Sequence, residues 1–412
     1  MNAPSRGTIP VPLLLVLALL ASVAPFGIDL YLPAFPRMAV ELETSDTAVQ
    51  LTLTMFLLGL AAGQLLFGPL SDRWGRRGPL LAGSAVFVAA SVLAAVAPTI
   101  GVLLVARLVQ GLTAAAGMVI GRAVVADLAT GRAAARAFSL MMIVSGVAPV
   151  VAPLLGSLMI DGIGWRGVLF VLAGLAVAML AGSAAVVRET HPRHQRGTAK
   201  AGGVRALGHR AYLTATATFV FSFAVLMAYI SASPFLYQVV IGMSAVSYGL
   251  LFALNALGLI ASSAVASKLL RRSHPRRVLT TGTVSLLVSA AVLLVLALLP
   301  INAAWLLVPI FFAVASLGFV LGPATALALD AVPGAAGTGS AVLGAAQFGL
   351  GAAVSPLVSV GSAHSALPMA IIIAVLAVLA GLAACASRLI ASGDHAEDVT
   401  APERAGSLAG SS

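Results

Sequence analysis

The chain has 412 residues, of which 60% are apolar and only 9% charged. Soluble domains carry roughly 25% charged residues, so this composition excludes a water-soluble globular protein. The net charge of +10 is broken up between apolar runs and forms no continuous basic face, which argues for orientation in a bilayer and against a nucleic-acid partner.

Twelve apolar runs follow one another, at 12–36, 48–70, 79–98, 101–126, 136–160, 165–187, 211–239, 246–269, 277–299, 303–329, 335–360 and 364–390. Each is near or above the ~20 residues that cross a bilayer as a helix. The expected class is an all-α integral membrane protein with twelve transmembrane helices in two six-helix bundles. Arg6 before the first run imitates a secretory signal. The apolar runs continue to residue 390, so the first is read as a retained helix.

The longest polar break, 188–210, is basic and divides the chain into two sets of six. The expected organisation is a cytoplasmic N-terminus at 1–11, an N-terminal bundle at 12–187, a cytoplasmic basic linker at 188–210 and a C-terminal bundle at 211–390. The tail 391–412 is polar, holds four acids and is expected to be disordered. Of the 23 Lys and Arg, only Arg37 and Arg166 fall in loops on the side away from the termini. Arg107 and Arg122 lie within the fourth run, and all the others lie on the side of the termini. The positive-inside rule then puts both termini in the cytoplasm. A multi-pass protein of the bacterial inner membrane is expected. Cys385 is the only cysteine, so no internal disulfide forms.

Between the second and third runs lies Gly68-Pro69-Leu70-Ser71-Asp72-Arg73-Trp74-Gly75-Arg76-Arg77. So short a turn joins neighbouring antiparallel helices. An orientation loop needs arginines; it does not need an acid or glycines that let backbones approach. The corresponding turn after the eighth run, at 268–277, keeps the basic charges and has lost both. The fourth run carries Gly117 and Gly121 and ends at Asp127. The tenth carries Gly318 and Gly322 and ends at Asp330. This weak internal repeat places a binding site between the halves near the midplane. The glycine pairs themselves read as close helix packing.

Of the acids, Asp29 alone lies inside the hydrocarbon region, where a charge costs ~3 kcal/mol or more unless paired. Arg107 and Arg122 are cations at the same expense. Asp29 lies about seven residues before the outer end of its run and Arg107 about six residues after the outer start of its own. Both therefore sit ~10 Å below the surface and meet if the two helices are neighbours. Arg122 falls on nearly the same face, ~22 Å deeper, with Gln110 close to that face as well. The Asp29–Arg107 pair reads either as a static ion pair or as a protonation switch. Arg122 reads either as a cavity residue or as a packing residue.

The ten-residue turn resembles the signature loop of the major facilitator superfamily, Gly-x-Leu-x-Asp-Arg-x-Gly-Arg-Arg/Lys, at every fixed position: Gly68, Leu70, Asp72, Arg73, Gly75, Arg76 and Arg77. Further segments narrow the resemblance. They are Asp29-Leu-Tyr-Leu-Pro33, Arg107-Leu-Val-Gln-Gly111, the Gly/Pro run with Gly146, Pro149, Pro153 and Gly156, Ser231-Ala-Ser-Pro-Phe235, and Ala336-Gly-Thr-Gly-Ser-Ala341. Together they resemble the bicyclomycin/chloramphenicol-resistance branch of drug:proton antiporters over roughly residues 12–390. The resemblance implies export of small drugs against entry of protons, with no cofactor. It implies proton coupling at Asp29 and Arg107 and a cytoplasmic gate at the 68–77 turn. It makes the Gly146–Gly156 helix the antiporter helix, which two prolines bend. By analogy, Tyr31, Gln110, Arg122, Tyr229, Ser233, Gln238 and Asn255 are the candidate cavity contacts. One departure is Ala126-Asp127, where the branch has Arg-Asp. Arg122, Arg132 or an arginine of the loop itself must then partner Asp72.

Partners are thus a small-molecule drug, protons and the bilayer, with no nucleic acid, and a monomer is expected. The sparse polar groups suit an amphipathic solute better than a sugar. An exporter of a metabolite such as an amino acid or sugar is the alternative, and a non-transporting membrane sensor the distant one. The histidines at 191, 194, 209, 274, 364 and 395 lie in loops or the tail, with no metal or triad spacing, so neither an enzyme nor a metal site is expected.

Overall fold

The computed structural model describes residues 9–191, 207–359 and 365–400. The described residues form thirteen α-helices: α1 Val11–Asp29, α2 Phe35–Glu41, α3 Asp46–Trp74, α4 Arg77–Ala95, α5 Ile100–Leu128, α6 Gly131–Val186, α7 Arg210–Phe235, α8 Ala245–Leu269, α9 Pro275–Leu298, α10 Leu307–Ser316, α11 Leu321–Asp330, α12 Ala336–Val354 and α13 Leu367–Thr400. No strand occurs among the described residues. Side-chain caps start several helices. Ser45 accepts from the Ala48 amide at α3 and Ser244 from the Ser247 amide at α8. Such caps satisfy amides left without an intrahelical partner.

Among the described residues, ten stretches are long and apolar enough to span a membrane. One of them, Arg136–Val186, has 51 residues and makes two crossings. The expected boundary between the fifth and sixth runs is therefore present without a loop. It is a bend at Gly164, whose φ of 65° and ψ of 177° belong to a region open essentially to glycine alone. The 19-residue α12 rises about 28 Å, close to the ~30 Å core, and supplies the remaining crossing, the eleventh in chain order. Exposed apolar side chains such as Met142, Val288 and Leu382 run along these helices, as a lipid-facing surface requires. The protein is a multi-pass membrane protein.

Three spans are interrupted near their ends or middles. Pro33 has no N–H to give the Asp29 carbonyl, so the first span leaves the α-helix at Asp29 and passes through a 3-10 turn, Leu32–Ala34, into α2. At Pro234 the lost bond is replaced locally: the Ser233 hydroxyl donates to the Ile230 carbonyl at 3.1 Å, and the helix loosens into a π turn over Leu236–Val240. The tenth span divides into α10 and α11 through a 3-10 turn, Leu317–Phe319. There a Cβ on Gly318 would collide with Ser262 of α8. Gly117 likewise lies against the Leu20 carbonyl of α1, 3.1 Å from an added Cβ. Gly318 and Gly117 thus serve close packing, whereas Gly121 has no neighbour closer than 3.7 Å and Gly322 none within 4 Å, so the packing reading holds for one glycine of each pair.

The last helix departs from expectation. α13 continues to Thr400, ten residues past the expected start of a disordered tail. Thr400 is also the last described residue. The rest of the tail (401–412), the N-terminal residues 1–8 and most of the basic linker (192–206) lie outside the described residues.

Within the first half, α3 packs on α5 so closely that a Cβ on Gly111 would overlap the Phe56 carbonyl. Between the halves, α3 meets α12 and α6 meets α8. The turn from α3 into α4 needs Gly75, which has φ 96° and ψ 169°. Changing Gly75→Ala is expected to cost about 1–3 kcal/mol from backbone strain alone. A thermal melt of the purified variant in detergent reads that loss; an unchanged melt would show that the turn has another accessible backbone.

Candidate functional site

Two charged centres stand at opposite ends of the first half. The first surrounds the break after α1. Asp29 is 2% exposed and Arg107 fully buried, and α1 and α5 are neighbours, so the two lie at one depth as expected. They are not an ion pair. Arg107 donates through Nη2 to the Gly27 carbonyl at 2.6 Å and through Nη1 to Gln110 Oε1 at 3.0 Å. Its guanidinium is sandwiched between the rings of Tyr31 and Phe56, 4.2 and 4.4 Å from their centroids. The carbonyl freed near the helix break, Gln110 and two aromatic faces thus hold the cation without the carboxylate, although its Nε has no recorded hydrogen-bond partner. Asp29 Oδ1 is buried and takes no hydrogen bond among the described residues.

Across the interface, α8 packs on the Leu32–Ala34 turn that follows Asp29. Tyr248 is 3.3 Å from the Ser233 hydroxyl of α7. Beside it, Asn255 donates to the hydroxyls of Tyr229 at 2.8 Å and Tyr237 at 3.1 Å. Tyr248, Phe252 and Tyr229 pack ring against ring around that network.

The candidate cavity contacts divide. Tyr229, Ser233 and Asn255 come together in this buried cluster of the second half. Gln238 reaches across to the Pro33 carbonyl at 3.1 Å and is an interface residue. Tyr31 and Gln110 do not face a cavity: Tyr31 bonds Thr52 at 2.9 Å, and Gln110 donates to Ser91 of α4 at 2.8 Å. They belong to the core of the first half because Arg107, which they surround, is turned inward. Arg122 is exposed within its helix and donates to its own Met118 carbonyl at 3.0 Å.

Three features the sequence reading missed close this end. Gln50 of α3 donates to the Ser231 carbonyl at 3.2 Å, and Ser231 in turn is tied to Ser355. Gly249 of α8 sits against Ser157 and Pro153 of α6. Arg37 pairs with Asp161, and Glu41 holds both Arg166 and the Trp165 indole, fastening α2 to the bend of α6. A buried glutamine or tyrosine in an apolar run gives no sign of which helix it will face. The recorded hydrogen bonds between the halves, from Gln50 and Gln238, both lie at the Asp29 end. Toward the other end, Gly68, Gly146, Gly322 and Gly337 have open space where a Cβ would stand.

The second centre is the 68–77 turn. Asp72 is partnered by Arg76 of the loop itself, which also bonds Ser71 and reaches Asp127 at 3.0 Å. Arg76 thus replaces the arginine missing at Ala126. Glu189, which nothing in the sequence singled out, accepts from the Arg76 and Arg77 amides at 2.8 and 3.3 Å. Thr190 donates to Asp127 at 2.8 Å. Burial works against the Arg76 charge, but the hydrogen bonds and charges of Asp127 and Asp72 outweigh it and push its pKa up. This latch therefore does not open by titration of Arg76. Changing Arg76→Gln removes the common partner of two carboxylates and is expected to destabilise by about 1–3 kcal/mol. Faster hydrogen exchange at the start of α4 measures it, and unchanged exchange would mean that Glu189 alone holds the turn.

Two six-helix halves, closed at one end and carrying this turn at the other, are matched by the family model described as Major Facilitator Superfamily over residues 17–356. The chain belongs to that superfamily. It is 36% identical to an uncharacterized MFS-type transporter of Bacillus subtilis over 89% of this chain and 93% of that one. It is 28% identical to the bicyclomycin resistance protein homolog of Haemophilus influenzae, covering 86% and 91%. It is 30% identical to the multidrug resistance protein MdtL of Shigella flexneri, covering 78% and 82%. Among solved structures, the fold is similar to that of a D-xylose–proton symporter with a TM-score of 0.77 and 16% identity, covering 90% and 96%. A bacterial homolog of the lysosomal transporter Spinster, inward-facing and unoccupied, is similar with a TM-score of 0.70 and 18% identity, covering 94% and 97%. The chain is a transporter by family, not an enzyme.

Proposed function

We propose that the chain is a proton-coupled exporter of small amphipathic drugs, phenicol- or bicyclomycin-like, in a bacterial inner membrane with both termini cytoplasmic. The observation that carries the reading is Asp29, a buried carboxyl with an unpartnered oxygen at the seam between the halves. A charged carboxylate there is costly, and a proton removes that cost. The names of the bicyclomycin- and multidrug-resistance relatives support the substrate class. In the proposed cycle Asp29 takes a proton from the outer side and the outer end closes over it. Release of that proton to the cytoplasm, together with drug binding, favours outward opening. Arg107 holds the α1 break in shape throughout, and the Asp72–Arg76–Asp127 latch keeps the inner turn of the first half rigid.

The test is drug accumulation in cells lacking their own pumps, using phenicols, bicyclomycin and lipophilic cations, with and without a protonophore. Lower accumulation that the protonophore abolishes is expected. Unchanged accumulation of every drug would overturn the substrate class, and lower accumulation indifferent to the protonophore would overturn the coupling.

A further inference from the structure

Arg122 is the intramembrane cation to which the proposed cycle gives no task. Its helix, α5, is covered on three sides. Gly59 and Gly63 of α3 lie against Leu108, Leu112 and Ala115, Gly83 of α4 lies against Ala116, and Gly117 and Gly121 face Leu20 and Leu17 of α1. At about 100° per residue, Met118 and Arg122 fall ~100° and ~140° on from Gly117, on the arc between the α1 face and the α3 face. That arc looks toward the second half, because α3 packs on α7 and α12 and the turn after α1 packs on α7 and α8. At the closed end the arc is sealed. Phe56 of α3 reaches Gly27 of α1, and Arg107 is held between the Phe56 ring and the Gly27 carbonyl. Toward the inner end it is uncovered, with Met118 half-buried and Arg122 exposed.

The Arg122 head is also held deep. Its Nε donates to the Met118 carbonyl at 3.0 Å, one turn toward the midplane, whereas a side chain snorkelling to the cytoplasmic surface would point the other way. Met118 lies about ten residues before the end of α5 at Leu128, ~15 Å along the axis. A guanidinium exposed to lipid at that depth is costly. The open space at Gly68, Gly146, Gly322 and Gly337 admits water between the halves, and Arg122 faces that space. No other hydrogen bond or ion pair of Arg122 is recorded among the described residues, which leaves both Nη groups to meet a solute. The inner-end acids Asp72 and Asp127 are held by Arg76, and Asp29 lies at the closed end.

We propose that Arg122 is the charge filter of the transport cavity: its Nη groups bind the acceptor oxygens of uncharged or anionic amphiphiles, and its charge turns away lipophilic cations. Nitro, carbonyl, hydroxyl and carboxylate oxygens all fit a fork of N–H donors. A cationic solute must approach a like charge between apolar helices, where repulsion is screened less than in bulk water. The solute's identity as a drug rests on the export reading; the charge preference does not.

Tetraphenylborate and tetraphenylphosphonium share one shape and carry opposite charges. Their binding to full-length protein purified in neutral detergent is measured by equilibrium dialysis, with protein-free micelles subtracted. Tetraphenylborate is expected to bind roughly tenfold more tightly. Arg122→Gln removes that preference and melts like the parent, since the side chain bonds only its own helix. Arg122→Lys keeps the preference. Arg271→Gln, an equal loss of charge at the exposed inner surface, keeps it too. Met118→Glu sets a carboxylate one turn from Arg122 and admits the phosphonium with the arginine still in place. Equal binding of the two probes by the parent would overturn the proposal, as would a preference that survives Arg122→Gln or is lost equally in Arg271→Gln. A phenicol is expected to displace the borate. Arg122-dependent borate binding that resists phenicols and bicyclomycin alike would keep the filter and remove the drug reading.

Discussion

Replacing Asp29→Asn is expected to leave a folded protein whose protonophore-sensitive export falls to the level of cells without the transporter. Asparagine keeps the volume and polarity of the side chain, and the position is already without a recorded partner on Oδ1. No ion pair is lost, because Arg107 is held by Gly27, Gln110 and two aromatic rings. The melting temperature should therefore stay near that of the parent. This separates a coupling role from a structural one: a static ion pair would show itself as lost stability, commonly 3–5 kcal/mol when one partner of a buried pair is removed. Substrate binding measured on the purified variant should persist. Proton-driven export that survives the change would remove Asp29 from the mechanism.

Gly156→Ala and Gly146→Ala, two glycines of the same bent helix, are expected to behave differently. A Cβ on Gly156 would overlap the Leu30 carbonyl, in the turn that follows Asp29. Backbone meets backbone there, so neither side can rotate away, and the change is expected to destabilise by about 1–3 kcal/mol or more. It should also disturb export, since it pushes α6 off the break beside Asp29. Gly146 has nothing within 4 Å, so Gly146→Ala should melt like the parent. If it nevertheless impairs export, the defect lies in an arrangement where the inner ends approach. Equal melting of the two variants would show that α6 can shift away from α1 at little cost.

Much of this was legible in the sequence because membranes leave few solutions. Apolar length fixes the spans, since every backbone polar group must be satisfied within the helix. The 68–77 turn was marked by its glycines and its acid, whereas the helix breaks at Pro33 and Pro234, which follow from the N–H that proline lacks, were not read from the sequence. The spacing of Asp29 and Arg107 placed them at one depth. The pairing did not follow from depth, because a guanidinium has several donors that a carbonyl and a glutamine can take, and two aromatic rings also hold it. Rotation about the helix axis is set by packing, and it turned Tyr31 and Gln110 into the core of the first half. Glu189 and Thr190 were illegible for a similar reason: one carboxylate among linker charges has no periodic signal, and its role arises when the end of α6 folds back onto the start of α4.

The sequence by itself therefore determined the solvent, the number of crossings, the signature turn and the short list of intramembrane charges, because each follows from local chemistry and length. Tertiary structure alone decided which partners those charges take and which end of the molecule is closed, because these depend on how helices of nearly uniform apolarity rotate and press together.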